Sequence, residues 1–176
     1  RGGNGTVAFN SAKMGIGPTG VRGGRGGDIY FEGIADLGAL FKLRHQKMFR
    51  AENGQVGGNR LNDGASGADL IIKVPAGTVI HNLTTGFDHE IIKTGERFLA
   101  ARGGKGGKGN YHFRGPRNTS PTQFQKGLDG EDFQIRLELK LIADIGLIGL
   151  PNSGKSSLIN ALTNAQSKVG NYKFTT

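Results

Sequence analysis

Arg102-Gly103-Gly104-Lys105-Gly106-Gly107-Lys108-Gly109-Asn110 carries glycine at every third position, Gly103, Gly106 and Gly109. An earlier segment, Arg22-Gly23-Gly24-Arg25-Gly26-Gly27, repeats the pattern, and Gly17, Gly20, Gly23 and Gly26 keep the same period. Three residues per turn is the period of polyproline II, and glycine along one edge lets two such strands approach backbone to backbone. Collagen is excluded because the period breaks after a few turns and the chain holds only 5 prolines. A disordered Arg-Gly-Gly tract is the competing reading, since glycine tracts of low complexity generally stay unfolded. Interleaved apolar runs argue for folding instead.

Those runs are short and bounded by turns. Val7 and Phe9 alternate with small or polar neighbours, and Ile29 and Phe31 flank Tyr30 within 28–32. Further strands are expected over 70–74, 78–83, 90–93 and 97–101, with turns at Pro75-Ala76-Gly77 and Thr85-Gly86. Phe133, Ile135, Leu137, Leu139 and Leu141 alternate with polar residues, the pattern of a strand half buried on one face. Residues 37–50 fit a helical turn or a loop, and 116–132, with prolines at 116 and 121, reads as a loop. The expectation for 1–140 is a mainly β domain with glycine-rich polyproline II strands.

Charge is concentrated. The net charge of +9 includes seven basic residues and no acid between Arg97 and Lys126, and residues 40–51 add Lys42, Arg44, Lys47 and Arg50 without an acid. Blocks of this kind fit a polyanionic partner, nucleic acid above all, against the plainer alternative of a solvated basic surface. Cysteine is absent, which excludes disulfides and thiolate metal sites. The four histidines, at 45, 81, 89 and 112, show no metal-ligand spacing. No apolar run is long enough to span a bilayer.

Near the end lies Gly149-Leu150-Pro151-Asn152-Ser153-Gly154-Lys155-Ser156, which fits G-x-x-x-x-G-K-[ST] at each fixed position. An apolar run, 141–148, precedes it, and Leu158, Ile159 and Leu162 fall on one helical face after it. Strand, loop and helix together form a phosphate cradle: N–H groups converge on the anion, Lys155 adds a full charge and the Ser156 hydroxyl suits Mg²⁺. The fold expected for 141–176 is therefore the first βα unit of an α/β P-loop domain.

The succession of Gly23-Gly24-Arg25-Gly26-Gly27-Asp28, Val74-Pro75-Ala76-Gly77-Thr78-Val79, Gly103 to Asn110 with Phe113, and Leu139 to Ser156 resembles the Obg family of ribosome-associated GTPases. The resemblance runs the length of the chain. It implies a glycine-rich Obg fold followed by strand, P-loop, helix and first switch of a GTPase domain. GTP or GDP would be bound by 149–157, including Ser157, and by Phe174 and Thr175 and Thr176 of the switch Asn171-Tyr172-Lys173-Phe174-Thr175-Thr176. Thr176 would join Ser156 on Mg²⁺. Where this sequence has Lys173 the family usually has proline, a departure that bears on the stiffness of the switch. Asn152 admits two readings: an amide that bonds its own loop, or one that helps hold K⁺, as in some related GTPases.

The resemblance further implies a cytoplasmic or organellar, monomeric factor with no membrane partner, hydrolysing GTP as a full-length protein in large ribosomal subunit assembly. The guanine-reading and second magnesium motifs of the family would fall after Thr176, so residues 1–176 alone are expected to be inactive. Arg22, Arg25, Lys42, Arg44, Lys47, Arg102, Lys105 and Lys108 are the expected contacts to ribosomal RNA phosphates, with Tyr111, His112 and Phe113 offering flat faces to unstacked bases. The alternative is a regulatory module that binds a stress-signalling protein.

Overall fold

In a computed structural model, the structure describes residues 1–10, 17–140, 148–150 and 153–162. The chain divides into two compact units, Arg1–Lys140 and Leu141–Thr176. The first is built from strands β1 (Phe9–Asn10), β2 (Gly17–Pro18) and β3 (Ile29–Ile34), helix α1 (Ala39–Leu43), and strands β4 (Leu70–Pro75), β5 (Thr78–Asn82), β6 (Phe87–Ile91), β7 (Arg97–Ala101) and β8 (Ile135–Leu139). A one-turn 3₁₀ helix covers Asn110–Phe113. The first unit is mostly β with few helices, the mainly β domain expected for 1–140.

Two three-stranded sheets hold the apolar core. One has the order β4-β3-β7, with β3 parallel to β4 and antiparallel to β7; the other has β6-β5-β8, antiparallel throughout. Phe31, Ile72, Val74, Ile80 and Ile91 form the buried cluster, and Ile29, Leu40, Leu43, Phe49, Ile135 and Leu137 pack against it from its margins. Their alternation with polar neighbours follows the two-residue period of a strand with one buried face. The sheets meet at the turn after β4. Gly77 adopts φ +88, donates its N–H to the Ile91 carbonyl at 2.7 Å and accepts from Lys140 N–H at 3.0 Å, while the buried Thr78 hydroxyl bonds the Pro75 carbonyl at 2.7 Å.

The glycine-rich part is a different kind of assembly. Segments 1–8, 19–28, 51–58, 63–69, 102–110 and 121–131 lie side by side, mostly outside any β ladder, joined by backbone bonds at every third residue. Gly23 and Gly26 donate to Gly107 and Gly104, and Gly24 and Gly27 donate to Gln55 and Glu52, each pair running antiparallel. Gly64 and Gly67 donate to Arg22 and Arg25, a parallel pair. Each residue in such a helix points to one of three neighbours, so a strand can be hydrogen-bonded on several sides at once. Glycine is required where the backbones touch. A Cβ at Gly106 would stand 1.8 Å from the Gly23 carbonyl oxygen, and one at Gly23 2.1 Å from that of Gly3.

Several local expectations change. Residues 37–50 hold the short helix α1, and β6 begins at Phe87 rather than at Glu90. The stretch read as a loop, 116–132, is partly a strand of the bundle: Gln125, Leu128 and Glu131 donate in turn to Lys108, Lys105 and Arg102. Proline and small polar residues signal a turn by local chemistry, but here the tertiary neighbours decide. The alternation over 133–141 yields a β8 of five residues, 135–139.

Candidate functional site

Two regions carry the chemistry, one in each unit. In the second unit Gly154 takes φ +82 at the threshold of helix α2 (Lys155–Leu162), a conformation that glycine adopts at little steric cost. Leu158 N–H bonds the Gly154 carbonyl at 2.9 Å and Ser153 N–H bonds that of Leu150 at 3.3 Å, closing the turn onto the helix. Lys155 Nζ donates to the carbonyls of Gly149 at 2.7 Å and Leu150 at 2.6 Å and to Ser153 Oγ at 3.3 Å. The ammonium thus sits over the loop, at the end of the helix where its N–H groups emerge. Residues 141–147, expected as a strand, Pro151, Asn152, Phe174, Thr175 and Thr176 lie outside the described residues, as does the side chain of Ser156; Ser157 is exposed on α2.

In the first unit the bundle brings some of the expected cations together and separates others. Arg22, Arg25, Lys105 and Lys108 line a single groove of about 620 Å³, floored by Gly23, Gly106 and Gly107 and edged by Gln125, Lys126 and Leu128. All four cations are solvent-exposed. Arg25 alone of them is paired among the described residues, its Nη2 lying 2.7 and 2.9 Å from the carboxylate of Asp28. Asp28 is buried and also accepts the Gly103 N–H at 2.7 Å, so it ties the β3 entry to the glycine strand.

Lys42, Arg44 and Lys47 are elsewhere, on α1 and the segment after it. Lys42 Nζ is held by Asp36 Oδ2 at 3.1 Å. That bond, then the Gly38 N–H, holds the Asp36 carboxyl below its ordinary range. Arg44 and Lys47 stand at the rim of an apolar cavity of about 720 Å³ between the sheets, lined by Phe31, Phe49 and Ile72 among others. Arg102 belongs to a third recess, with Arg1 and Arg50. Lys126 went unrecognised as a groove residue because its segment reads as a loop; its signal was membership of the acid-free block.

Of the three flat side chains, Tyr111 and His112 are exposed and Phe113 is half-buried. Arg114 lies 5.3 Å from the Tyr111 ring centroid, a cation–π distance, and His112 meets Tyr111 edge to face at 5.8 Å. His112 is held below its ordinary range, first by desolvation and then by the positive charge of Arg22 and, more weakly, Lys108, with Asp63 opposing. Among the described residues no cluster of His, Asp and Glu is arranged to hold a metal ion, and no helix is long and apolar enough to cross a membrane.

Comparison with known proteins agrees with this layout. The family described as GTP1/OBG matches residues 1–141, and the family described as 50S ribosome-binding GTPase matches 144–176. The chain is 47% identical over 182 residues to a GTPase Obg of Nautilia profundicola, covering all of this chain and 50% of that protein. It is 48% identical over 179 residues to a GTPase Obg of Persephonella marina, with 99% and 52% coverage, and 45% identical to one of a Synechocystis species. The chain spans about half the length of the curated relatives it matches.

Proposed function

Since this chain belongs to the GTP1/OBG family, we propose that its whole protein is a GTP-binding and GTP-hydrolysing factor that docks on large-subunit ribosomal RNA through residues 1–140. Residues 141–176 open the domain whose nucleotide state sets when docking occurs. The observation that carries the RNA reading is the gathering of Arg22, Arg25, Lys105 and Lys108 in one groove by a backbone scaffold that needs no side-chain core. Phosphate neutralisation supplies most of the sequence-independent affinity for RNA. Lys42, Arg44, Lys47 and Arg102 would add contacts from neighbouring surfaces, and Tyr111 and His112 would stack on unpaired bases.

The nucleotide half would work as other P-loop proteins do. Lys155 exchanges its bonds to the Gly149 and Leu150 carbonyls for phosphate oxygens, and the N–H groups around Gly154 and the start of α2 complete the cradle. Hydroxyl oxygens of the Ser156 and Thr176 type suit a hard, oxygen-seeking cation, and Mg²⁺ there would neutralise charge on the phosphates. Leu150, Pro151, Asn152, Ser153 and Ser157 would wrap the phosphates, with Phe174 and Thr175 beside the nucleotide. The reaction is phosphoryl transfer to water, in which Lys155 orients and stabilises charge without covalent chemistry. Asn152 is the candidate for K⁺ dependence, read as turnover in potassium against sodium.

Sedimentation of the intact protein with large ribosomal subunits tests the docking role. Binding should be stronger with a GTP analogue than with GDP and should disappear after ribonuclease treatment. Retention on a protein partner after ribonuclease would favour the stress-signalling alternative instead.

A further inference from the structure

The hydrogen-bond register of the bundle sets the cations of the groove in facing pairs. Gly23 N–H bonds the Gly107 carbonyl and Gly26 N–H bonds the Gly104 carbonyl, both at 2.9 Å. In this antiparallel alignment Arg22 lies across from Lys108 and Arg25 across from Lys105. A third strand adds Lys126, since Gln125 and Leu128 donate to Lys108 and Lys105 on its two sides. Facing like charges oppose close packing of the strands; Asp28 compensates in part by pairing with Arg25, and the Asp63 carboxylate lies at Arg22, accepting its backbone N–H at 3.2 Å.

We infer that this groove binds the phosphodiester backbone of a single RNA strand laid across two cation rungs, Arg22 with Lys108 and Arg25 with Lys105, without reading its bases; the inference rests on the RNA-docking reading above. Three observations carry it. The floor is glycine backbone at Gly23, Gly106 and Gly107, which lets a chain approach closely, and among the described residues no aromatic side chain lines the groove to stack a base. The rungs are one polyproline II turn apart, roughly 9 Å at 3.1 Å per residue, so one strand can engage both. The positive potential adds to desolvation at a neighbour: burial first, then Arg22 and more weakly Lys108, hold His112 toward its neutral form against the opposing Asp63. Filling the groove with phosphates relieves the facing charges, which couples RNA binding to stability of the bundle.

The test uses the intact protein with short oligouridylate and oligoadenylate of equal length. Both should bind equally, with log affinity falling against log salt at a slope of about −3 for four phosphates on a single strand. The triple variant Arg22→Gln, Lys105→Gln, Lys108→Gln should make that slope shallower by about 2, while its ligand-free melting temperature at low salt stays level or rises. The charge-preserving pair Lys105→Arg, Lys108→Arg should keep the original slope. Unequal affinity for the two oligomers, an unchanged slope in the triple variant, or a lower ligand-free melting temperature for it would overturn the inference. Large-subunit sedimentation of the same variant separates the two readings: docking that survives an unchanged oligonucleotide slope leaves the docking role standing without this groove. A shifted slope in a protein that never sediments with subunits upholds the groove and removes the docking role.

Discussion

Asn110 Oδ1 accepts the Gly20 N–H at 2.9 Å at a position with no solvent exposure. Its Nδ2 donates to the carbonyls of Ala8 and Pro121, both at 3.0 Å, so one amide joins three strands at the end of the bundle. Truncating it leaves the Gly20 N–H and the Pro121 carbonyl without this partner and removes a 3.4 Å bond from the Ala8 N–H, while the Ala8 carbonyl keeps the Thr19 N–H. Asn110→Ala should cost about 3 kcal/mol of unfolding free energy, read by urea denaturation of the intact protein. A loss under about 0.5 kcal/mol, the range of an ordinary surface substitution, would show that water replaces the amide.

Glycine substitutions separate close packing from backbone conformation. Gly106→Ala places a Cβ 1.8 Å from the Gly23 oxygen, and the bundle should fail to form at any temperature. Gly86 has φ +72 and open space around its Cβ position, so alanine there should cost only about 1 kcal/mol through its dihedral. Gly115 has open space too, with no left-handed φ, and Gly115→Ala should leave the melting temperature within about 1–2 °C. Circular dichroism melts of the three variants give the ranking, and a folded Gly106→Ala protein would contradict the packing described.

Asp36 competes with any phosphate for Lys42. Asp36→Asn removes the charge that holds this ammonium at 3.1 Å and frees it for RNA. Affinity for large-subunit RNA should rise about twofold at low salt, the scale of an exposed ion pair, and the gain should fade as salt is added. Unchanged affinity, measured by filter binding, would remove Lys42 from the RNA surface.

Two groups set opposite ends of the acid response. Glu96 is held below the ordinary carboxylate range by the Lys93 and Ile92 N–H groups and, less, by His89. A depressed carboxyl favours the fold above its unfolded value, near 4.5, and that contribution is lost as pH falls through the folded value. His112 is also depressed, so the fold resists its protonation, and stability declines as pH drops below about 6.5. Glu96→Gln should flatten the low-pH part of a melting-temperature profile and His112→Gln the part just below neutrality. In Arg22→Gln the His112 resonances should titrate at higher pH.

The repeated glycines and the loop before Lys155 were legible because each depends on a local rule: a period of three, or a fixed spacing before a helix. Pairing was not. Nothing in Arg22 or Lys108 alone states that they face each other, since that follows from a hydrogen-bond register between segments about 80 residues apart in the chain. Lys126 was hidden by prolines that signal a turn, although the strand it flanks is fixed by acceptors at Lys108, Lys105 and Arg102. Likewise the hold of Asp36 on Lys42 needs α1, and 37–50 alone did not decide between helix and loop. The start of β6 at Phe87 was obscured because the polar Asp88 and His89 interrupt the apolar pattern, while across the sheet they pair with His81 and Ile80.

The bundle is joined mainly by peptide groups, and the apolar cluster of the unit lies instead in the two sheets around Phe31 and Ile80. Unfolding it hydrates chiefly polar surface, which lowers the heat capacity change where apolar surface raises it. The bundle's own contribution to the free energy should therefore vary little with temperature, a flat arch in place of a steep one. The array of glycines that shapes the cation-lined groove also makes that surface equally firm in the cold and in the warm.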